Sequence, residues 1–260
     1  MITVDQIGQE HTLVDVPTKI VSLVPSITEL LCDMGLRRTI VGCTKFCVHP
    51  QGLMEESTTV GGTKNVDIDK CVQLDPDIIL ANKEENTKAD IDALREICPV
   101  WVADIKTIDD VRRTIVALAD IFDRVDVGQN VVQKLVGSLP SRPRKLGSVV
   151  YLIWRRPYMT VGGDTYISHM LGRCGFTNVF DDSERYPEIQ LQDISDRSPD
   201  HVFLSSEPYP FTEKHVADLH DLLGHASIHV VDGEFFSWYG TRTIHCEGYL
   251  DTLANQLATS

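Results

Sequence analysis

The chain has 260 residues, of which 42% are hydrophobic and 24% are charged, so it can form one large or two modest globular domains and is not expected to be disordered. Its formal net charge of -14 works against binding to nucleic acid and to anionic membrane surfaces, because both require a basic face. No stretch approaches the roughly 20 apolar residues of a membrane helix, and residues 1–5 lack the start of a secretory signal, so we expect a cytoplasmic chain or one whose leader was removed.

The first half of the chain alternates predicted strands and helices. Residues 19–24 have the pattern of a buried strand, and Ser26 with Glu29 has the spacing of a capping box that opens a helix ending at Gly35. Strands that alternate with helices usually pair in parallel, so this half predicts a helix-covered parallel sheet. Three further short strands are predicted at residues 40–43, 77–81 and 100–103.

A long amphipathic helix is predicted after Thr107. Apolar residues recur at steps of three and four from Ile108 to Val125, and the stripe continues to Leu139 before Pro140 closes it. The pattern fits one long helix or two helices in line. If the helix is unbroken, roughly thirty residues span about 45 Å, and a rigid strut joins two lobes.

The second half of the chain repeats the order of the first. The segment LDPDIIL at residues 74–80 returns as RSPDHVFL at residues 197–204, and each copy follows an apolar segment that ends in glycine. The repetition predicts a second lobe of like topology. Its predicted strands and helices are residues 148–153, 164–171, 201–205, 228–231 and 243–258.

The predicted fold class is therefore α/β, with two Rossmann-like lobes that have parallel sheets and are joined by a single long backbone helix. The predicted domains are an N-terminal lobe at 1–106, the connecting helix at 107–140 and a C-terminal lobe at 141–260. A ligand cleft is expected between the lobes, because domain interfaces offer concave surfaces.

Aromatic residues lie just beyond several predicted strand ends, where α/β folds present their ligand-facing loops. Rings with one polar edge suit a large, flat, partly polar ligand, although about half of such rings are expected to pack loops onto the core instead. Neighbouring charged residues can supply oriented polar contacts. The predicted ligand-binding residues are Phe46, Lys64, Trp154, Tyr158, Tyr186, Glu234, Phe235, Trp238, Tyr239 and Arg242.

Metal and catalytic motifs are weak. The chain lacks the glycine-rich nucleotide motifs, the Gly-x-Ser-x-Gly elbow and the His-Glu-x-x-His zinc motif. The seven cysteines are odd in number and lie mostly in apolar runs, which favours reduced core thiols in a reducing compartment. We assign no metal ligand, catalytic residue or built-in cofactor. Two loose groups have spacings that favour a structural role over a metal site: Cys43, Cys47 and His49, and the histidines 215, 220, 225 and 229.

In the order of its motifs the chain resembles the cobalamin- and iron-siderophore-binding proteins of ABC importers, whose lobes are joined by one long helix. The resemblance covers nearly the whole chain. It implies a non-enzymatic, periplasmic protein that captures a corrinoid or ferric siderophore between its lobes and delivers it to a transmembrane permease without itself spanning the membrane. It rests on residues 20–30, 41–42, 65–69, 74–80, the helix from 107, 174–180 and 197–200.

The resemblance also assigns roles to particular residues. Phe46 and Tyr186 would face each other from opposite lobes, and Thr63 stands where cobalamin binders have an aromatic contact. The family presents one acidic residue per lobe to the permease. Alignment of the two Pro-Asp copies places Asp69 and Gln192 at equivalent positions, seven residues before the prolines. Glu188 and Asp193 lie beside Gln192, so the predicted docking residues are Asp69, Glu188, Gln192 and Asp193.

Two alternatives remain open. Without a leader, the chain would be a cytoplasmic corrinoid carrier or sensor that keeps the binding chemistry and has no permease. On the same fold, a chelatase-like enzyme would use His49, Cys43 or Glu234 on a bound metal complex. Perturbed ionisable groups that converge in the cleft would favour the enzyme.

Overall fold

The computed structural model describes residues 1–138, 145–224 and 226–257. The chain forms two compact units, each with its own parallel sheet, so the predicted α/β class with parallel sheets is confirmed. Within the described residues, no helix has both the length and the apolar character that crossing a bilayer requires. Unit 1 contains residues 1–105, 109–136 and 239–241, and unit 2 contains the described residues of 106–108, 137–238 and 242–260.

Unit 1 is built on a five-stranded parallel sheet. The strand order is β5-β4-β3-β8-β9, and apolar side chains of β3, β8 and β9 pack against the helices that connect the strands. Two antiparallel hairpins, β1–β2 and β6–β7, accompany the sheet. The strands are β1 Ile2–Val4, β2 Glu10–Thr12, β3 Ile20–Ser22, β4 Ile40–Cys43, β5 Thr58–Thr59, β6 Gly61–Gly62, β7 Asn65–Val66, β8 Ile78–Asn82 and β9 Val100–Ala103.

The first helix of unit 1 begins two residues earlier than a cap at Ser26 predicts. Pro25 is its first residue and Val24 its N-cap, so the predicted Ser26 capping box is wrong. Proline suits this place because the first helical N–H has no partner within the helix. The helices are α1 Pro25–Asp33, α2 Leu53–Glu56, α3 Ile68–Leu74, α4 Lys88–Arg95, α5 Ile108–Ile121 and α6 Val125–Gly137, with a short 3-10 turn at Arg37–Thr39.

The predicted connecting helix is two helices, so a single unbroken rod is wrong. Helix α5 ends at Ile121, Asp123 takes a left-handed conformation with φ of 52°, and α6 begins at Val125. The Arg124 amide donates to the Ala119 carbonyl at 2.8 Å, which is the bond that closes a Schellman helix end. The predicted continuation to Leu139 and closure at 140–143 lie outside the described residues.

Unit 2 is built on a four-stranded parallel sheet with the order β13-β10-β15-β16, and a three-stranded antiparallel sheet, β11-β12-β14, lies beside it. Its strands are β10 Gly147–Leu152, β11 Trp154–Arg155, β12 Tyr158–Met159, β13 Phe176–Asn178, β14 Glu188–Ile189, β15 His201–Ser205 and β16 Ser227–Val231. Its helices are α7 Tyr166–Cys174, α8 Leu191–Arg197, α9 Glu213–Leu223, α10 Glu234–Ser237 and α11 Cys246–Leu257, with a 3-10 turn at Thr241–His245.

The helices of unit 2 start later than the sequence predicts. Helix α7 begins after Thr165, whose side chain accepts from the Ser168 amide, and not at Asp164. The predicted closing helix from Thr243 opens as the 3-10 turn and becomes α-helical at Cys246. Its predicted last residue, Ala258, lies outside the described residues, as does His225.

Candidate functional site

The carboxyl ends of the unit 1 strands lead into loops that carry two of the predicted ligand-binding residues. Lys45 and Phe46 follow β4, Lys64 lies in the β6–β7 turn, and Glu84 and Glu85 follow β8. We call residues 44–46, 61–66 and 83–86 the unit 1 loop surface. Parallel strands end at one edge of a sheet, which is why loops distant in sequence meet there.

Backbone and side-chain hydrogen bonds hold this surface together. The Lys45 backbone amide donates to the Gly61 carbonyl at 2.9 Å, and the side-chain Nδ2 of Asn86 donates to the Thr63 carbonyl at 2.9 Å. The Lys64 ammonium donates to the Glu84 carbonyl at 2.6 Å. Three separate loops are therefore fixed relative to one another before any ligand arrives.

Phe46 presents an open ring on the unit 1 loop surface. Its side chain is 48% exposed, which is unusual for a phenylalanine, and the Lys45 ammonium lies 5.1 Å from the ring centroid. Both side chains lie over Gly62, since a Cβ built there would stand 3.3 Å from the Phe46 ring and 3.5 Å from the Lys45 side chain. Because Gly62 has no side chain, Phe46 and Lys45 can lie close to its backbone.

Tyr239 belongs to unit 1 and is 5% exposed. Its hydroxyl accepts from the Asn82 amide at 2.9 Å and donates to Glu85 at 3.2 Å. Burial, together with the Glu85 carboxylate, raises the pKa of the Tyr239 hydroxyl well above its usual value. These contacts fix the loop after β8, and they leave the ring little surface for a ligand.

In unit 2 the hairpin β11–β12 presents Trp154 and Tyr158. Trp154 is 40% exposed and packs edge-on against Tyr209, with ring centroids 5.6 Å apart. Arg155 lies within this group: interaction of its guanidinium with the phenols of Tyr209 and Tyr158 raises its pKa. Its guanidinium also donates to Asp218 at 2.8 Å.

Glu207 is a central group of unit 2 that the sequence prediction omits. One carboxylate oxygen accepts from the Trp238 indole at 3.0 Å and from the Ser237 hydroxyl at 2.5 Å. Burial raises the pKa of Glu207, and the two hydrogen bonds oppose part of that rise. Its place, two residues beyond the end of β15, is the signal that could have found it, because the same rule selects the aromatic candidates.

The remaining aromatic candidates of unit 2 are partly covered by the protein itself. Trp238 is 7% exposed, and the Arg242 guanidinium lies 5.0 Å from its ring while pairing with Glu234 at 2.7 Å. Phe235 stacks on Tyr249, with ring centroids 4.4 Å apart and planes 8° from parallel. A ligand would therefore meet the edges of these rings or the Glu234–Arg242 pair.

Tyr186 is half-buried in the segment before β14, beside the glycine turn at 161–164. The amides of Gly162 and Gly163 donate to the carbonyls of Arg185 and Ser183 at 2.8 and 3.0 Å. The space that these two glycines leave is therefore filled by the chain's own backbone, including that of Ser183. The turn fixes the segment that carries Tyr186.

The predicted docking residues lie on the surfaces of their units. Asp69 is exposed in the first turn of α3, and Glu188 is exposed on β14. Gln192 donates to Asp196 at 2.8 Å, and the Asp193 carboxylate accepts from the Gln190 amide at 2.7 Å as the N-terminal cap of α8. Of the three unit 2 candidates, Glu188 is the exposed carboxylate that does not cap a helix.

The two cysteine and histidine groups have local structural contacts. The Cys47 thiol lies 3.2 Å from the Thr28 hydroxyl, and the Cys43 thiol lies 3.2 Å from the Ser57 hydroxyl. His215 accepts from the Thr212 amide at 2.9 Å at the start of α9. Within the described ranges, no three His, Cys, Asp or Glu side chains are grouped to hold a metal ion.

The sequence is similar to those of several known proteins. A vitamin B12-binding protein of Vibrio cholerae serotype O1 is 25% identical over 194 residues, covering 72% of this chain and 70% of that protein. An uncharacterized ABC transporter substrate-binding lipoprotein of Bacillus subtilis strain 168 is 26% identical over 212 residues, covering 76% and 67%.

The fold is likewise found among solved structures. A periplasmic heme-binding protein in complex with two hemes superposes with a TM-score of 0.79 at 18% identity, covering 93% of this chain and 98% of that one. The profile of the family described as Periplasmic binding protein matches residues 20–226, well over half of the chain. The chain therefore belongs to the periplasmic binding protein family, which is a family of binding proteins.

Proposed function

We propose that this protein captures a metal chelate, a corrinoid or a ferric siderophore, and hands it to an ABC importer. The observation that carries the proposal is the exposure of large rings on strand-end loops in both units. Phe46 in unit 1 and Trp154 in unit 2 keep 48% and 40% of their surface open. Rings left open at the ligand-facing ends of parallel sheets are the features a flat chelate would use.

The names of the relatives support this ligand class. One relative is named for vitamin B12, and one solved neighbour holds two hemes. Both ligands hold a metal in a broad macrocycle. A second relative is named as the substrate-binding part of an ABC transporter, which supports the proposed partner.

Each unit carries its own proposed ligand-binding side chains. In unit 1, Phe46 supplies ring surface and Lys64 a polar contact. In unit 2, Trp154, Tyr158 and Tyr186 supply ring surface, and the Glu234–Arg242 pair supplies polar contacts. Each ring that stacks on the ligand contributes on the order of 1 kcal/mol beyond the area that it buries. Phe235, Trp238 and Tyr239 act mainly by holding these loops in place.

The proposed docking contacts are the exposed carboxylates Asp69 and Glu188. Charge reversal to D69K and E188K should lower ligand uptake by cells that make the partner permease, and should leave the Kd of the purified protein unchanged. The control is E96K, an exposed carboxylate that follows α4 on the way to the amino end of β9. Equal uptake by all three variants would remove these residues from the docking role.

Binding itself is tested by titrating the purified protein with cyanocobalamin, ferric siderophores and hemin while following tryptophan fluorescence. Saturable quenching by one of these chelates is the expected result. The variants F46A and W154A should weaken binding about five- to tenfold each, since each loses about 1 kcal/mol of ring contact. V72A removes an exposed apolar side chain from α3 and should bind normally. If no chelate in the panel quenches the fluorescence, the proposed function is wrong.

A further inference from the structure

The unit 1 loop surface carries an exposed ring and three exposed lysines. Lys83 pairs with Asp104 at 2.6 Å, whereas Lys45 and Lys64 make no ion pair within the described residues. We propose, resting on the proposed function, that the ligand presents anionic oxygens to this surface and that Lys45 and Lys64 select for them. The chemistry in question is a metal chelate with carboxylate or catecholate oxygens at its rim. A neutral corrinoid lacks that chemistry.

The two lysines are fixed close to the ring. Lys45 lies over Phe46, with its ammonium 5.1 Å from the ring centroid, and its backbone amide is bonded to Gly61. Lys64 lies three residues after Gly61, in the β6–β7 hairpin, and its ammonium donates to the Glu84 carbonyl at 2.6 Å. The side chains are therefore placed before binding, so a ligand that meets them loses little entropy in ordering them.

Neither ammonium is neutralised by a carboxylate in the described part of the chain. The Lys64 ammonium has three donor hydrogens, and the Glu84 carbonyl takes one of them. The Lys45 ammonium is placed over an aromatic ring and makes no ion pair within the described residues. Donor capacity thus remains on both groups for an acceptor that comes from outside.

The two acidic side chains of this surface, Glu84 and Glu85, are half-buried. One carboxylate oxygen of Glu84 is buried, and Glu85 accepts from the hydroxyl of the buried Tyr239. Lys45 and Lys64 are both exposed. The face offered to a ligand is accordingly more positive than a count of the charges in these loops suggests.

Two arginines of unit 2 differ from Lys45 and Lys64 because each is paired with a carboxylate. Arg155 donates to Asp218 at 2.8 Å, and Arg242 pairs with Glu234 at 2.7 Å, so both guanidinium groups have a carboxylate of their own. A neutral ligand placed on Lys45 and Lys64 would strip water from two ammonium groups without compensation. An anionic ligand would replace that water with charge-assisted hydrogen bonds.

The negative charge of the whole chain makes Lys45 and Lys64 more important for binding an anionic ligand. At a net charge of -14 the protein repels an anion at long range, so an anionic ligand needs local positive charge to bind. Salt screens the long-range repulsion over about 8 to 10 Å and acts less on contacts that are shielded from water. Affinity for an anionic chelate should therefore depend on Lys45 and Lys64 at all salt concentrations.

The test compares anionic and neutral chelates on the same variants. Hemin, with two propionates, and a ferric tris-catecholate are the anionic probes, and cyanocobalamin and ferrichrome are the neutral ones. We expect the wild-type protein to bind an anionic probe most tightly. K45Q/K64Q should weaken that probe by about tenfold or more, as the loss of charge-assisted contacts implies, and should weaken the neutral probes much less, because they carry no anionic oxygen. The better of the two anionic probes distinguishes carboxylate from catecholate oxygens.

Two controls separate charge from folding. K45R/K64R keeps both charges and should retain the affinity, while K19Q removes a lysine at the amino end of the same sheet and should have no effect. Tighter binding of a neutral probe, with K45Q/K64Q bound equally well, would overturn the anionic preference and leave the proposed function standing. Failure of every probe to bind the wild-type protein would overturn both.

Discussion

Asp77 and Asp200 make equivalent hydrogen bonds in the two units. The Asp77 carboxylate accepts from the backbone amides of Thr18 and Lys19 at 2.7 and 2.9 Å, next to the start of β3. The Asp200 carboxylate accepts from the Ser148 amide at 2.7 Å, at the start of β10. In each unit the aspartate of the Pro-Asp segment thus ties the strand that follows it to the neighbouring strand.

The equivalence extends to the residue before each proline. Helices α3 and α8 both have seven residues and both end in a left-handed residue, Asp75 with φ of 47° and Ser198 with φ of 46°. The repeated sequence therefore encodes one repeated piece of structure: a short helix, a left-handed end, a proline, and an aspartate that holds the adjacent strand.

We predict that D77N and D200N each lower the free energy of unfolding by about 1 to 2 kcal/mol, because each weakens charge-assisted bonds to backbone amides. Urea unfolding followed by circular dichroism measures the change. The control is D75N, which removes an exposed ion pair with Lys19 from a position whose left-handed backbone asparagine tolerates. It should cost less than about 0.5 kcal/mol. Equal losses in all three variants would contradict the assigned roles.

The same two aspartates predict a loss of stability in acid. Burial raises the pKa of Asp77, but hydrogen bonds from Thr18 and Lys19 outweigh it and lower the pKa; the Ser148 amide lowers the pKa of Asp200. A lowered pKa in the folded state stabilises the fold above the ordinary value of 3.8 and loses that contribution as pH falls through the folded-state value. The difference in stability between wild type and D77N/D200N should shrink progressively as the pH falls below 3.8. A constant difference down to pH 2 would contradict this.

The repeated segment shows how far the sequence predicts the fold. Buried runs such as residues 78–82 and 201–205 have one plausible place in an α/β fold, and their pairing follows from local pattern. The break at Asp123 was not predictable in this way, because the apolar stripe continues through it and aspartate adopts the left-handed conformation without a glycine to mark it.

The candidate site was harder to predict because its contacts are distant in sequence. The rule of strand-end position found Phe46 and Trp154, which are open. It could not distinguish them from Tyr239, which is buried by contacts with Asn82, 157 residues away. Glu207 was missed since its partner Trp238 lies 31 residues further along the chain. Position predicts where a loop lies, and burial decides what a side chain in it can do.

The packing of α6 on α5 depends on Gly128. A Cβ at this position would overlap the Ala119 methyl group, so G128A should push the helices apart and cost about 1 to 3 kcal/mol. Thermal unfolding by calorimetry measures the effect. The control is G137A at the end of the same helix, where no described atom lies within 4 Å. It should be neutral or stabilising by up to about 1 kcal/mol, since alanine favours helix. A stabilising G128A would contradict the close contact.

The burial of Glu207 predicts that the stability of the fold changes with pH in the direction opposite to that expected from Asp77 and Asp200. Burial raises its pKa above the ordinary 4.5, so its protonated form favours the fold: that stability is fully present below pH 4.5 and is lost as pH rises through the folded-state value. E207Q should abolish this dependence and be neutral or stabilising at pH 8. E207A should cost about 1 to 3 kcal/mol by leaving the Trp238 indole without its acceptor. Unchanged pH dependence in E207Q, with exposed E184Q as control, would contradict the assignment.

Arg155 is a positioning residue for the ring surface of unit 2, because its guanidinium donates to Asp218 and interacts with the phenol of Tyr209, whose ring packs against Trp154. R155A should loosen Trp154 and increase quenching of its fluorescence by acrylamide, while R155K should restore this only in part, since an ammonium lacks the planar fork of a guanidinium. The readout is specific because Trp101 and Trp238, at 0% and 7% exposure, are shielded from the quencher, whereas Trp154 is 40% exposed.

We expect chelate affinity to fall about tenfold in R155A with little change in the melting temperature. The control R124A removes an exposed guanidinium from unit 1 and should change neither quenching nor affinity. If R155A melts much earlier but quenches like wild type, Arg155 stabilises unit 2 as a whole and does not orient Trp154.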